Sequence, residues 1–235
     1  MNREIDCRRS ETILVGTPGN ALCLTIDELG DWAEHISWCY RFLGIEEGAT
    51  IAVQDFGASP LALLATSLFL PIGGGGVAER LNGKVICLDA SAEKVILTPA
   101  ALRQVRPDAL VIREDMAPLL LEQANRDGVR FENMRLVLVV SDERSAAVPA
   151  PGWDLLLVVG ESLLLAPGCG VCRHFHLREG VYAVADGYVV NLHYPDATPH
   201  RAAWRGGTAK QGCPTRPGDW LLPIDRYVST CGSAS

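Results

Sequence analysis

Short aliphatic runs alternate with amphipathic stretches through the first half of the sequence, and this alternation constrains the fold more than any other feature. "TILV", "TIAVQDF", "KVICLD", "DALVI" and "MRLVLVV" have the length and residue content of buried strands. Between them, "TIDELGDWAEHISWCYRFLG" repeats its apolar residues at three- and four-residue steps: Leu29, Trp32, Ile36, Cys39 and Tyr40. That period predicts a helix, with Thr25 as N-cap, Glu28 as its capping-box partner and Gly44 as its stop. "SPLALLATSLFL" reads as a buried helix with proline in its first turn, and "TPAALRQV" and "DMAPLLLEQANRDG" as two more. Strands separated by helices need crossover connections, so the expected fold class is α/β with a mostly parallel sheet.

The texture changes past the polar, proline-rich "SDERSAAVPAPG". "WDLLLVVG" gives one more buried strand, "GVYAVADGYVVNLHYPD" two strands joined near a turn, and "GDWLLPIDRYV" a short one. No helical period survives there. The expected organisation is an α/β domain over residues 1–145 and a smaller β-rich part over 146–235, packed closely on the first.

A formal charge of −7 over 235 residues argues against nucleic-acid and anionic-membrane partners, which reward basic patches. The apolar run "LALLATSLFLPIGGGG" is too short to span a bilayer. "MNREIDCRRSETI" has no apolar stretch of the secretory kind, so the expected location is the cytoplasm, with reduced thiols. Cys7, Cys23, Cys39 and Cys87 then read as small buried hydrophobes.

"GCGVCRHFHLREG" is the one place where cysteines and histidines crowd together: Cys169, Cys172, His174 and His176. Cys-x-x-Cys has the spacing of a zinc knuckle, and histidines two apart on an extended segment face the same side. All four on one ion would be cramped, so two or three of them with a distant ligand such as Cys213 or Cys231 fit more easily. Three readings stay open: a zinc site, uncoordinated structural residues, or a redox pair. The redox pair lacks the flanking helix N-terminus that would lower a thiol pKa.

Other motifs divide quickly. "VGTPGN" after a strand can cradle an anion on backbone N–H groups or can simply be a turn. "PIGGGGVAERL" precedes its strand, the wrong order for a dinucleotide fingerprint. "VGESL" offers no nucleophile elbow, and adjacent Asp142 and Glu143 read as a solvated turn.

Taken in order, several of these segments resemble the adenylate-forming superfamily, in particular phenylacetate–CoA ligase-like proteins. "VGTPGN" followed by "LTIDELGDWAEHISWCYRFLGIEEGATIAV" is similar to that family's phosphate loop, tryptophan-bearing helix and next strand. "VVGESLLLAPGCGVCRHFHLREGVYAVADGYVV" is similar to the stretch from "Y-G-x-T-E" through "A-x-E-C", and "PIDRYVSTC" to "P-L-I-R-Y-R-T-G-D". The likeness spans about residues 12–231.

The resemblance implies that Gly16, Thr17, Gly19, Glu161, Arg226 and Tyr227 face a nucleotide, ATP or AMP, with an aryl acid nearby. It also implies a zinc ion, since some relatives hold one near the position of the Cys/His cluster. The departures are as informative. The substrate-side "T-P-S" is Arg113, Glu114 and Asp115, the "G-E-P" turn is Ser141, Asp142 and Glu143, and the ribose-binding acid falls on Cys231. The family's catalytic lysine has no counterpart among Lys84, Lys94 and Lys210. The expectation is a retained fold that binds a nucleotide, an acyl-adenylate-like ligand or a partner protein, as a homodimer or in a complex, without complete ligase activity and with no catalytic residue assigned. Two alternatives stand beside it: an active ligase subunit completed by another chain, and a zinc-stabilised structural or regulatory module.

Overall fold

The computed structural model describes residues 12–17, 20–57, 59–68, 72–141, 146–147, 152–159, 164–193, 199–201, 212–214 and 218–229. Strands β1 (Thr12–Thr17) and β2 (Asn20–Thr25) form an antiparallel hairpin whose last pair is Thr17↔Asn20. Helix α1 (Ile26–Phe42) starts directly from β2. The Thr25 hydroxyl accepts from Glu28 N at 3.3 Å and the Glu28 carboxylate accepts from Thr25 N at 2.8 Å, so the predicted capping box is present. Leu29, Trp32, Ile36, Cys39 and Tyr40 are buried along one face, and Gly44 turns the chain at φ +77°.

The chain then alternates as its sequence pattern requires: β3 (Thr50–Asp55), α2 (Pro60–Leu63), α3 (Val77–Arg80), β4 (Lys84–Asp89), α4 (Ala92–Val95), α5 (Thr98–Val105), β5 (Ala109–Arg113), α6 (Ala117–Arg126), β6 (Arg135–Ser141), β7 (Ala146–Ala147) and β8 (Asp154–Val159). Five strands pair in parallel, in the order β4-β3-β5-β6-β8. Alternate side chains feed two separate cores. Ile51, Val53, Val111 and Val137 pack beneath α1, α2 and α3, whereas Ala52, Leu110, Ile112 and Leu138 pack against α4, α5 and α6. Burial on both faces explains why these strands read as unbroken aliphatic runs.

The sheet continues without interruption into the β-rich part. Strand β9 (Leu164–Cys169) joins β8 antiparallel, β10 (His174–Leu177) follows, then β11 (Tyr182–Ala185), β12 (Tyr188–Asn191), β13 (His200–Arg201), β14 (Trp220–Pro223) and β15 (Val228–Ser229). Strands β9, β10 and β14 extend the parallel half to eight strands, while β11, β12 and β13 make a small separate sheet. Strands on both sides of position 145 therefore share one sheet. No described helix is long and apolar enough to cross a membrane.

Two expectations need correction. "SPLALLATSLFL" is not a long helix, because α2 closes after one turn. Val77 N and Ala78 N donate to Leu64 O and Ala65 O at 2.9 and 2.8 Å, so the next segment takes over the backbone bonds that a longer helix would use. Gly76 makes this return possible, since a Cβ there would lie 2.6 Å from the Thr66 carbonyl carbon. Cys87 is not a buried hydrophobe: β4 is the sheet's edge, and the residue is exposed on it.

One buried polar group ties α1 to the β-rich part. His35 Nε2 donates to Leu165 O at 2.9 Å and lies 3.2 Å from the Tyr182 hydroxyl, which itself accepts from Leu165 N at 2.9 Å. Burial lowers the His35 imidazole from 6.5 to about 4. Because the folded value lies below the unfolded one, the unfolded chain takes up a proton first as the pH falls. The contribution is complete above pH 6.5 and drains away between pH 6.5 and about 4. At roughly 1.4 kcal/mol per unit this amounts to about 3 kcal/mol. Denaturant titrations across that window are expected to show stability falling with pH in the wild type and a flatter dependence in His35→Leu. An identical slope in the variant would assign the proton uptake to another group.

Candidate metal centre

The hairpin between β9 and β10 is built around two cysteines. Cys169 ends β9, Arg173 adopts φ +62° in the turn, and its N–H returns to Cys169 O at 2.9 Å, which sets His174 opposite Cys169. Cys172 sits inside this turn. His176 lies two residues further along β10, fully buried, with its ring 4.7 Å from that of Phe42 on α1. Cys213 enters from the segment 212–214 ahead of β14, which pairs with the other edge of β10.

The ligand atoms of Cys169, Cys172, His176 and Cys213 all lie within 4.8 Å of one another. The Sγ atoms of Cys169 and Cys213 are 3.7 Å apart, and His176 Nε2 is 3.7 Å from Cys213 Sγ and 3.1 Å from Cys172 Sγ. Zn–S bonds of about 2.3 Å at tetrahedral angles place two sulfurs about 3.8 Å apart. The side chains thus already stand at the corners of a cage that fits one tetrahedral ion, and three soft sulfurs with one imidazole are a donor set that suits zinc. Burial holds the Cys172 thiol up to about 12 and the His176 imidazole down to about 4. The neutral imidazole is the form a metal takes, whereas the thiols would lose their protons only on meeting the cation.

His174, named with the cluster from the sequence, is directed elsewhere: its Nδ1 donates to Cys172 O at 2.7 Å. That bond braces the turn carrying Cys172. Cys231, the other distant candidate, lies outside the described residues. Cys213 could be found from the sequence only as one option, because 37 positions separate it from His176 and no periodicity links them.

Of the proposed nucleotide-facing residues, Gly16 and Thr17 end β1, opposite Ala21 and Asn20, while Gly19 and Glu161 lie outside the described residues. Arg226 donates to Arg201 O at 2.8 Å, and buried Tyr227 packs edge-on against Phe175 and hydrogen-bonds His200. Their turn is fastened to the metal hairpin, since Ile224 N donates to Arg173 O at 3.1 Å and Arg173 pairs with Asp225 at 2.7 Å.

A second polar group lies at the carboxyl ends of the parallel strands. The connection leaving β3 runs over one face through α2 and α3, and the one leaving β5 runs over the other through α6. Neighbouring strands whose connections part in this way open a crevice where α/β proteins commonly bind ligands. Here it holds Asp55, nearly buried, which accepts from Ser59 Oγ at 2.6 Å and from Phe56 N at 2.8 Å. Arg113 stacks on Phe56 at 4.2 Å, pairs doubly with Asp115 at 2.9 and 2.6 Å, and lies 4.0 Å from Asp55. Glu114 accepts from Ser141 Oγ at 2.9 Å. Burial raises both Asp55 and Glu114 above the usual carboxylate range, against the pull of these hydrogen bonds.

No family model and no curated protein matches the sequence. Among solved structures, 2-hydroxyisobutyryl-CoA ligase in an open conformation with 2-HIB-AMP and CoA superposes at a TM-score of 0.65 and 19% identity, over 92% of this chain and 57% of that one. The same ligase in its postadenylation state with 2-HIB-AMP gives 0.63 and 18%, over 92% and 51%. The chain therefore has the fold found in this part of an adenylate-forming ligase, and it spans a little over half the length of the structures it matches.

Elemental analysis of protein prepared with ample zinc is expected to find one equivalent, with a melting temperature lowered by chelator. His176→Ala should abolish the bound metal and His174→Ala should retain it. Equal loss in both variants would contradict the four-residue cage.

Proposed function

We propose that this chain is a phenylacetate–CoA ligase-like core that binds a nucleotide or acyl-adenylate-type ligand at its strand ends without completing ligation, while zinc on Cys169, Cys172, His176 and Cys213 holds its antiparallel half. The observation that carries the reading is the superposition of 92% of the chain on a ligase bound to its acyl-adenylate. The crevice supports the loss of ligation. An acyl group entering it would meet Asp55, Arg113 and Glu114, and Arg113 already spends its guanidinium on Phe56, Asp55 and Asp115. An uncharged group displacing Arg113 from Asp55 would leave that buried carboxylate without its cation, while the exposed Arg113–Asp115 pair adds little either way. Adenylation also needs preorganised positive charge for the departing pyrophosphate. The cation at these strand ends, Arg113, is already paired with two carboxylates.

The zinc contributes architecture in this reading. It would join the β9–β10 hairpin to the segment ahead of β14, and its binding free energy would become folding free energy. A second reading, a zinc-stabilised structural module with no small-molecule ligand, is favoured by the same Arg113, which fills the crevice from within.

A thermal-shift panel with ATP, AMP, CoA, aryl acids and a non-hydrolysable acyl-adenylate separates the two. The proposal expects AMP or the adenylate mimic to raise the melting temperature; a ligand at ~100 times its Kd adds about 2.7 kcal/mol of stability. It also expects no acid-dependent ATP–pyrophosphate exchange. A flat panel would favour the structural module, and robust exchange would restore the active-ligase alternative.

A further inference from the structure

We propose that the metal centre is also an oxidation site: a peroxide oxidises Cys213, Cys169 resolves it as an intramolecular Cys169–Cys213 disulfide, and the ion is expelled. Expulsion rests on the zinc reading above, but the choice of sulfurs rests on the geometry of the chain.

The four ligands are not equivalent. Cys169 and Cys172 are buried, at 5% and 8% exposure, and His176 is fully enclosed, whereas Cys213 is only half-buried. A small oxidant arriving from solvent therefore meets Cys213 first. Cys213 lies on the segment 212–214, outside the described strands, while Cys169 is anchored at the end of β9. Their Sγ atoms are 3.7 Å apart, and a disulfide needs about 2.05 Å, so a small rotation of the two side chains closes the gap. Cys172 lies within reach of both other sulfurs as well, but it is buried and sits against His176 Nε2 at 3.1 Å. Of the remaining described thiols, Cys39 is wholly buried, and Cys87, exposed on the edge strand and able to consume peroxide, is replaced in the test.

The chemistry closes with one hydrogen peroxide. The Cys213 thiolate attacks a peroxide oxygen, forming an S–O bond as the O–O bond breaks and hydroxide leaves, which gives a sulfenic acid. The Cys169 thiolate then attacks the Cys213 sulfur, forming the S–S bond as the S–O bond breaks and a second hydroxide leaves. Two thiolates lose two electrons, peroxide gains them, and both hydroxides are neutralised to water by the two protons the thiols gave up. Only Cys172 and His176 would remain for the ion, half of a tetrahedral set. A dithiol reductant reverses the step by thiol–disulfide exchange and restores the cage.

The test uses the full chain carrying Cys87→Ser, loaded with zinc and titrated with hydrogen peroxide. Released zinc is read with a chromogenic chelator and the linkage by peptide mapping with fragmentation. One zinc released per peroxide consumed, a Cys169–Cys213 cross-link, and recovery of bound zinc after dithiothreitol are expected. A Cys169–Cys172 or Cys172–Cys213 linkage, sulfinic acid with no linkage, or zinc retained through several equivalents of peroxide would each overturn the proposal. Cys172→Ala should still form the Cys169–Cys213 cross-link, and loss of it in the folded variant would also count against the assignment. Zinc content before peroxide is added tests the metal reading separately, so the two can fail independently.

Discussion

The central strands β3, β5 and β6 of the parallel ladder are packed on both faces, and their backbone N–H and C=O groups are satisfied by neighbouring strands in one register. That requirement brings Asp55 at the end of β3 beside Arg113 at the end of β5, although 58 positions separate them. It also leaves β8 as the strand from which the antiparallel half must grow, because an open polar edge beside so much apolar surface invites further pairing. β9 takes that place, and the metal hairpin hangs from its far end.

Helix α1 couples the two ends of this extension. At 17 residues and about 1.5 Å per residue it is roughly 25 Å long. Its capping box follows directly from the β1–β2 hairpin, His35 in its middle holds Leu165 at the start of β9, and Phe42 at its close lies against His176. The Cys/His cluster thus touches α1 through the Phe42 and His176 rings, and β9 is bonded to it through His35. The hairpin that resembles a phosphate loop is continuous with the other end of the same helix.

The two polar groupings differ in what they demand. At the strand ends, charges face one another and largely neutralise, so a ligand there must offer something better than Arg113 already receives from its two aspartates. At the Cys/His cluster the four donors hydrogen-bond one another, and together they also match one soft cation.

The crossover pattern, the parallel strands and the start of α1 follow from local chemistry: β-branched runs buried on both sides, a three-to-four-residue apolar period, and a threonine three residues ahead of a glutamate. The pairing of Cys169 with Cys172 is equally local, since a four-residue turn aims both sulfurs one way. What lay beyond the sequence depends on contacts made across long separations. Whether His174 or His176 turns inward is decided by the Cys172 carbonyl that takes up His174 and by the Phe42 ring beside His176. Cys213 reaches the cage because β14 pairs with β10, and the early stop of α2 comes from backbone donors some thirteen positions later, Val77 and Ala78. Local periodicity carries no information about such partners, because their positions are fixed only when the whole sheet has closed.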